Sequence, residues 1–136
     1  MSEWTQPKTN WNTSDRFNIS DFNRIKNNLV FVHTWLSDLV GNFSLIDMGE
    51  DITNYDGYWE VAKFNAFETN LETLNKHALN RNYGTTKTFY ENGLFINAEE
   101  LNRIESAILD LYGICKGMES GRRRLPFRIG AFKFRF

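Results

Sequence analysis

A five-rung apolar ladder that occurs three times constrains the fold of this chain more than any other feature. In each copy the apolar residues are separated by three, four, three and four positions, the spacing of a seam along which helices pack side by side. The ladders are Phe22, Ile25, Leu29, Val32 and Leu36; Phe64, Phe67, Leu71, Leu74 and Ala78; and Leu101, Ile104, Ile108, Leu111 and Cys115. An Asn follows the first rung every time. We expect three helices that bury these residues, within one chain or in an intertwined oligomer.

Start and stop signals place the helices over about 20–40, 60–80 and 98–117. Asn18 and Asn97 have the side chains preferred at a helix N-cap, and each has an acidic residue three positions later. Gly41 and Gly117 supply the left-handed conformation that commonly closes a helix. The chain of 136 residues is long enough for one core, so we predict a single helical domain over residues 1–119.

The two ends of the chain differ from this helical pattern. Residues 1–17 are polar with spaced aromatics, typical of an extended arm that docks either on its own helices or, alternatively, on a partner. At the other end Phe132, Phe134 and Phe136 alternate with basic residues, and this period of two predicts a strand. The predicted fold class is therefore mainly α, a three-helix bundle with an extended N-terminal arm and a C-terminal β segment over 120–136. That strand can pair within the chain or with another chain's sheet edge.

Charge is divided unevenly along the sequence. Residues 1–119 hold all 17 acidic residues and a net charge of −7, whereas the last 17 residues carry +6, including Arg122, Arg123 and Arg124. A basic tail on an acidic body usually marks a separate contact surface. We expect it to contact acidic residues of a neighbouring subunit rather than nucleic acid, because the acidic body would repel phosphates.

The sequence offers no set of residues for catalysis, so we expect a protein that is not an enzyme and has no cofactor. Cys115 stands on a ladder and is predicted to be core. His33 and His77 lack partners at the spacing of metal ligands, and the acidic loop over 42–57 fails the calcium-binding loop pattern. No apolar run is long enough to span a membrane, and the N-terminus has no signal-peptide pattern.

The opening of the chain resembles small structural proteins of tailed bacteriophages that infect Gram-positive bacteria. The resemblance lies in Asn10-Trp11-Asn12, Asp15-Arg16-Phe17-Asn18 and Asp21-Phe22-Asn23-Arg24-Ile25-Lys26-Asn27-Asn28-Leu29, and again in Phe95-Ile96-Asn97-Ala98-Glu99-Glu100-Leu101-Asn102-Arg103-Ile104-Glu105. Those proteins often have an aromatic residue where Arg16 stands and Glu where Lys26 stands. The similarity covers about thirty residues at the start and eleven near residue 100.

This resemblance implies a virion subunit of the tail, baseplate or fibre-attachment region, made in the host cytoplasm and acting as an adaptor between other tail proteins. We expect a homo-oligomer whose contacts with neighbours come from the two ends of the chain. The predicted partner-binding residues are Trp4, Trp11, Arg122, Arg123, Arg124, Phe132, Phe134 and Phe136.

Two other functions stay open at this point. A receptor-binding module would stack cell-wall sugars on aromatic side chains, for which the candidates are Tyr55, Tyr58, Trp59 and Tyr83. A small phage regulator of a host protein would instead be absent from virus particles.

Overall fold

The computed structural model describes residues 4–15, 17–51, 61–84 and 97–124. The protein is mainly helical, with α1 over Ile19–Val40, α2 over Val61–His77 and α3 over Ala98–Arg124, and these ranges contain no strand. Each helix packs against the other two. The prediction of three helices is confirmed.

The apolar ladders form the core. Fourteen of the fifteen rungs are buried, and Ala78, which follows the end of α2, is half-buried. Asp21 accepts a hydrogen bond from the Asn18 backbone N–H at 2.8 Å, and the Asn97 side chain accepts one from the Glu100 N–H at 2.9 Å, so both predicted helix starts are confirmed. Gly41 ends α1 with a φ of 109°.

The predicted end of the third helix is wrong. α3 continues past Gly117 to Arg124, so residues 120–124 are helical and do not belong to a β segment. A glycine inside a helix costs only about 1 kcal/mol relative to alanine, and the arginines that follow are good helix formers. The remainder of the predicted β segment, residues 125–136, lies outside the described residues.

All three helices run in the same direction. Arg24 of α1 pairs with Glu105 of α3, and further along both helices Trp35 donates to Glu119. The α1–α2 contacts follow the same order. The Phe22 ring lies 5.0 Å from that of Phe67 near the helix starts, whereas Phe43 contacts both His33 and His77 near the helix ends.

Parallel helices require each connection to return along the bundle. The α1–α2 connection passes His33 at Phe43 and reaches Lys26 at Asp51. We call residues 42–51 the first return and residues 78–84 the second return; the latter contacts α3 at Asp110 through Arg81 and Tyr83.

The described part of the N-terminal arm, residues 4–15, runs opposite to the helices in the groove between α1 and α3. Trp4 stacks on Tyr112 at 4.0 Å between ring centroids, and Trp11 lies further down the groove at Asn102. The arm therefore docks on its own helices, one of the two interpretations that the sequence left open.

Candidate functional site

Asparagine side chains hold the extended segments on the helices. In each case the amide oxygen accepts a hydrogen bond from the backbone N–H of one residue, while the amide nitrogen donates to the carbonyl of that same residue. We call this arrangement an amide clamp. The clamps join Asn28 to Thr5 (3.0 and 2.7 Å), Asn102 to Trp11 (2.7 and 3.0 Å), Asn70 to Ile46 (2.8 and 2.9 Å) and Asn75 to Arg81 (2.8 and 2.6 Å).

Two of these clamps occupy equivalent helix positions. Asn28 and Asn70 each stand six residues after the first rung of their ladder, and both are fully buried. Asn28 clamps the arm that precedes α1, and Asn70 clamps the first return, which precedes α2. A buried amide in either position satisfies backbone groups that have no helix or sheet partner of their own.

Glu105 joins α3, α1 and the arm in one polar cluster. Its carboxylate is fully buried and accepts hydrogen bonds from the Arg24 guanidinium (2.6 and 2.9 Å), the Trp11 indole N–H (2.6 Å) and the Lys8 backbone N–H (3.1 Å). Arg24 also donates to Asp21 at 2.8 Å. Burial alone would lower the Arg24 pKa, but the hydrogen bonds to Glu105 and Asp21 raise it.

The same arrangement recurs between α2 and α3. The buried Glu68 pairs with Arg103, which also donates to Glu100 at 2.7 Å. Arg24 and Arg103 each follow the first rung of their ladder by two positions, and Glu105 and Glu68 follow theirs by four. The two clusters are thus built from equivalent positions on successive helices.

The third equivalent place, between α1 and α2, departs from this pattern. Lys26 stands at the position that glutamate occupies in the other two helices, and Ala66 stands at the position that arginine occupies in the other two helices. The Lys26 ammonium is directed to the first return, where it donates to the Gly49 carbonyl at 3.3 Å and pairs with Asp51. Its hydrogen bond is the largest of the effects that lower the pKa of the Asp51 carboxyl.

Equivalent positions thus relate α3 to α1, α2 to α3 and α1 to α2 in cyclic order. The described part of the molecule is a single chain with internal threefold repetition: three parallel helices, three buried ladders and three extended segments that run against the helices.

The arm tryptophans lie within this framework. Trp11 is 6% exposed and Trp4 is half-buried, packed on Phe31 and Tyr112. The Trp11 ring is therefore covered by its own chain, whereas part of the Trp4 ring stays exposed. The backbone of Arg122, Arg123 and Arg124 belongs to α3. Phe132, Phe134 and Phe136 lie outside the described residues, so their assignment stays a prediction.

Reactive side chains are engaged in packing. Cys115 is fully buried, in agreement with its predicted core position, and burial raises its pKa to about 11. His33 donates to the Phe43 carbonyl at 2.5 Å, and His77 stacks on the Phe43 ring. Across residues 4–15, 17–51, 61–84 and 97–124, no cluster of three or more His, Cys, Asp or Glu side chains could hold a metal ion. None of the three helices is long and apolar enough to cross a membrane.

The aromatic residues considered for sugar binding are only partly described. Tyr83 is half-buried and donates to Asp110 at 2.6 Å; burial and this hydrogen bond raise its pKa. Tyr55, Tyr58 and Trp59 lie outside the described residues.

An aromatic cavity of about 750 Å³ opens beside the C-terminal half of α1. Trp35 and Tyr112, whose rings pack edge-to-face at 5.3 Å, supply part of its wall. The residues that line it are Phe31, His33, Thr34, Trp35, Ser37, Asp38, Asn42, Phe43 and Tyr112.

The amide clamps and buried ion pairs were not predicted from the sequence. A signal was present, since polar residues recur two, four and six positions after a first rung, where an apolar core would not require them. Comparison with protein-family models, curated proteins and solved structures finds no match for the chain.

Proposed function

We propose that this chain is a non-enzymatic structural subunit of a bacteriophage virion, an adaptor that holds neighbouring tail, baseplate or fibre proteins in register. One observation supports the proposal most. Among the six buried charged or amide side chains of the described residues, five join one segment of the chain to another: Lys26, Asn28, Glu68, Asn70 and Glu105. The sixth, Asp21, caps the start of its own helix and pairs with Arg24. Buried polar groups whose hydrogen bonds are satisfied make a structure rigid, as a scaffold requires.

The contacts with neighbours are assigned to the basic C-terminal region. The acidic body and the +6 charge of the last 17 residues favour attraction between subunits. The internal threefold repetition of the bundle also suits a place between symmetric parts of a tail. Within this proposal Arg122, Arg123 and Arg124 pair with acidic side chains of the next subunit.

Mass spectrometry of purified particles of the phage that encodes the chain tests the proposal. We expect the chain in particles at a fixed ratio to the tail proteins, and a variant with Arg122, Arg123 and Arg124 changed to Glu should be incorporated poorly. Circular dichroism should show that this variant keeps its helices. Absence of the unmodified chain from intact particles would contradict the proposal and favour a regulator of a host protein.

A further inference from the structure

The aromatic cavity beside α1 has the size and the wall composition of a site for a small ligand. Its volume of about 750 Å³ lies within the range of about 300–1,000 Å³ that small-molecule sites occupy. Rings from two helices line it: Phe31 and Trp35 of α1, and Tyr112 of α3. The Trp35 ring stands at 73° to that of Tyr112 and at 81° to that of Phe31. Trp35 thus packs edge-to-face on both neighbours, which fixes the orientation of the aromatic wall before a ligand arrives.

The charge at this cavity is negative. Among the described residues that line it, Asp38 is the only Asp, Glu, Lys or Arg. The Glu119 carboxylate lies beside the aromatic wall, because it accepts the Trp35 indole hydrogen bond at 2.9 Å. Donation of the indole N–H to a carboxylate makes the ring more electron-rich, and the face of an indole is the aromatic surface that attracts a cation most strongly. The cavity therefore favours a positively charged ligand over a neutral or anionic one.

The walls suit a cation that carries methyl groups instead of N–H donors. An ammonium or guanidinium group that leaves water needs a hydrogen-bond acceptor for each of its N–H groups. This cavity is walled mainly by rings, and the carboxylate that lines it, Asp38, is exposed. A quaternary ammonium ion has no N–H group to satisfy. Its methyl groups bury apolar surface while its charge is attracted to the ring faces.

We propose that the aromatic cavity binds a quaternary ammonium ion. The rings of Trp35 and Tyr112 contact its methyl groups, and the carboxylates of Asp38 and Glu119 balance its charge. A neutral sugar would stack on the same rings without a need for the two carboxylates, so the contribution of charge separates the two kinds of ligand. The site adds recognition of a small cation to the structural role proposed above and does not depend on that role.

Nuclear magnetic resonance of the ¹⁵N-labelled full chain, with choline as the probe, tests this inference. The indole N–H signal of Trp35 is identified by its loss in Trp35→Phe and is then followed during titration at constant ionic strength. We expect a saturable shift of that signal with a Kd in the millimolar range, as suits so small a ligand. Neohexanol, the uncharged isostere in which carbon replaces the ammonium nitrogen, should bind at least several-fold more weakly.

Three outcomes would overturn the inference. They are the absence of a saturable shift with choline, equal binding of choline and neohexanol, and saturable binding of N-acetylglucosamine in place of choline. The last of these would instead favour the receptor-binding module that the sequence left open. Particle composition tests the virion proposal separately, so the failure of one proposal is distinguishable from the failure of the other.

Two charge variants and a matched control sharpen the result. Asp38→Asn and Glu119→Gln each remove a carboxylate charge and keep an amide oxygen in its place, so each should weaken choline binding about three- to tenfold. Glu99→Gln removes the same charge at an exposed site about 30 Å of helix away from Glu119 and should change the Kd less than about twofold. Circular dichroism should show that all three variants keep their helices. Equal weakening in all three, or an unchanged Kd in both charge variants, would contradict a site at this cavity.

Discussion

The contact between α3 and α1 (the α3–α1 junction) and the contact between α1 and α2 (the α1–α2 junction) both fix an extended segment to a helix, but they use buried charges of opposite sign. In the first, the buried Glu105 accepts hydrogen bonds from Arg24 and from the arm at Trp11 and Lys8. In the second, the equivalent residue is Lys26, which donates to the first return at Gly49 and pairs with Asp51. In both junctions the residue four positions after the first rung fixes an extended segment to a helix.

The two junctions differ in the further partners of the buried charge. Glu105 has a guanidinium from the adjacent helix as well as the arm, whereas Lys26 pairs with an exposed aspartate, and the position on α2 that is equivalent to Arg24 and Arg103 is Ala66. A charge buried from all sides is costly unless each of its hydrogen bonds is made, and a charge that reaches an exposed partner is partly solvated. We therefore expect the α3–α1 junction to contribute more to stability and to fail more completely when it is broken.

Glu105→Ala should give the largest loss of stability. It leaves the Arg24 guanidinium without its buried partner and the Trp11 indole N–H without an acceptor, so we expect the free energy of unfolding to fall by about 3–5 kcal/mol. Urea denaturation followed by circular dichroism measures this change. Glu99→Ala, at an exposed site in the first turn of α3, is the matched control, and a loss below 1 kcal/mol for Glu105→Ala would refute the role of the cluster.

Asn70→Ala and Asn28→Ala should each cost about 2 kcal/mol, because each removes two hydrogen bonds and leaves backbone groups unsatisfied. The local effects should differ. Hydrogen exchange should increase around Ile46 in the first variant and around Thr5 in the second. The exposed Asn10→Ala serves as a control, and exchange that increases equally over both segments would show that the clamps do not act separately.

Introduction of a Glu–Arg pair at positions 26 and 66 tests whether the α1–α2 junction has the same geometry as the other two junctions. Lys26→Glu alone should destabilise the fold because the new carboxylate faces Asp51. Addition of Ala66→Arg should recover part of that loss, with a coupling energy of about 1–2 kcal/mol in a double-mutant cycle measured by urea denaturation. If the two substitutions are additive within about 0.5 kcal/mol, the positions do not meet as they do at the other two junctions.

Asp51→Asn should have the smallest effect, below about 1 kcal/mol, because the carboxylate is mostly exposed. The hydrogen bond from Lys26 lowers its pKa from the ordinary value of 3.8, so its stabilising contribution is present at neutral pH. That contribution is lost progressively below about pH 5, as the carboxyl takes up a proton.

The expected result is a less steep loss of stability on acidification in the variant, measured by urea titrations between pH 7 and pH 3. Glu50→Gln on the same return provides the control. A steeper acid loss in Asp51→Asn would contradict the assigned sign.

The core was predictable from the sequence because apolar spacing reports burial directly. Each rung of the first and third ladders is buried, down to Cys115. The relative direction of the helices was not predicted, since the apolar spacing indicates which face of a helix is buried and not whether neighbouring helices are parallel or antiparallel. The spacing between ladders did contain a signal: residues 41–60 and 78–97 form connections of twenty residues each, far longer than the two to eight typical of antiparallel neighbours.

The polar framework was harder to predict because its partners lie far apart in sequence. Asn102 and Trp11 are 91 positions apart, and no local propensity relates them. The predicted C-terminal end of α3 was wrong for a different reason. The glycine at position 117 was interpreted as a terminator, although it stands on an exposed face of α3 where the helix tolerates it.

The parallel arrangement of three repeated helices has a consequence for assembly. Three identical chains would also place three helices side by side, but such a trimer would come apart on dilution. Here the three copies are covalently linked, so the three helices come together without association between molecules. The equivalent positions are also free to differ, as Ala66 differs from Arg24 and Arg103. A molecule of this kind can present three unequal faces to its surroundings.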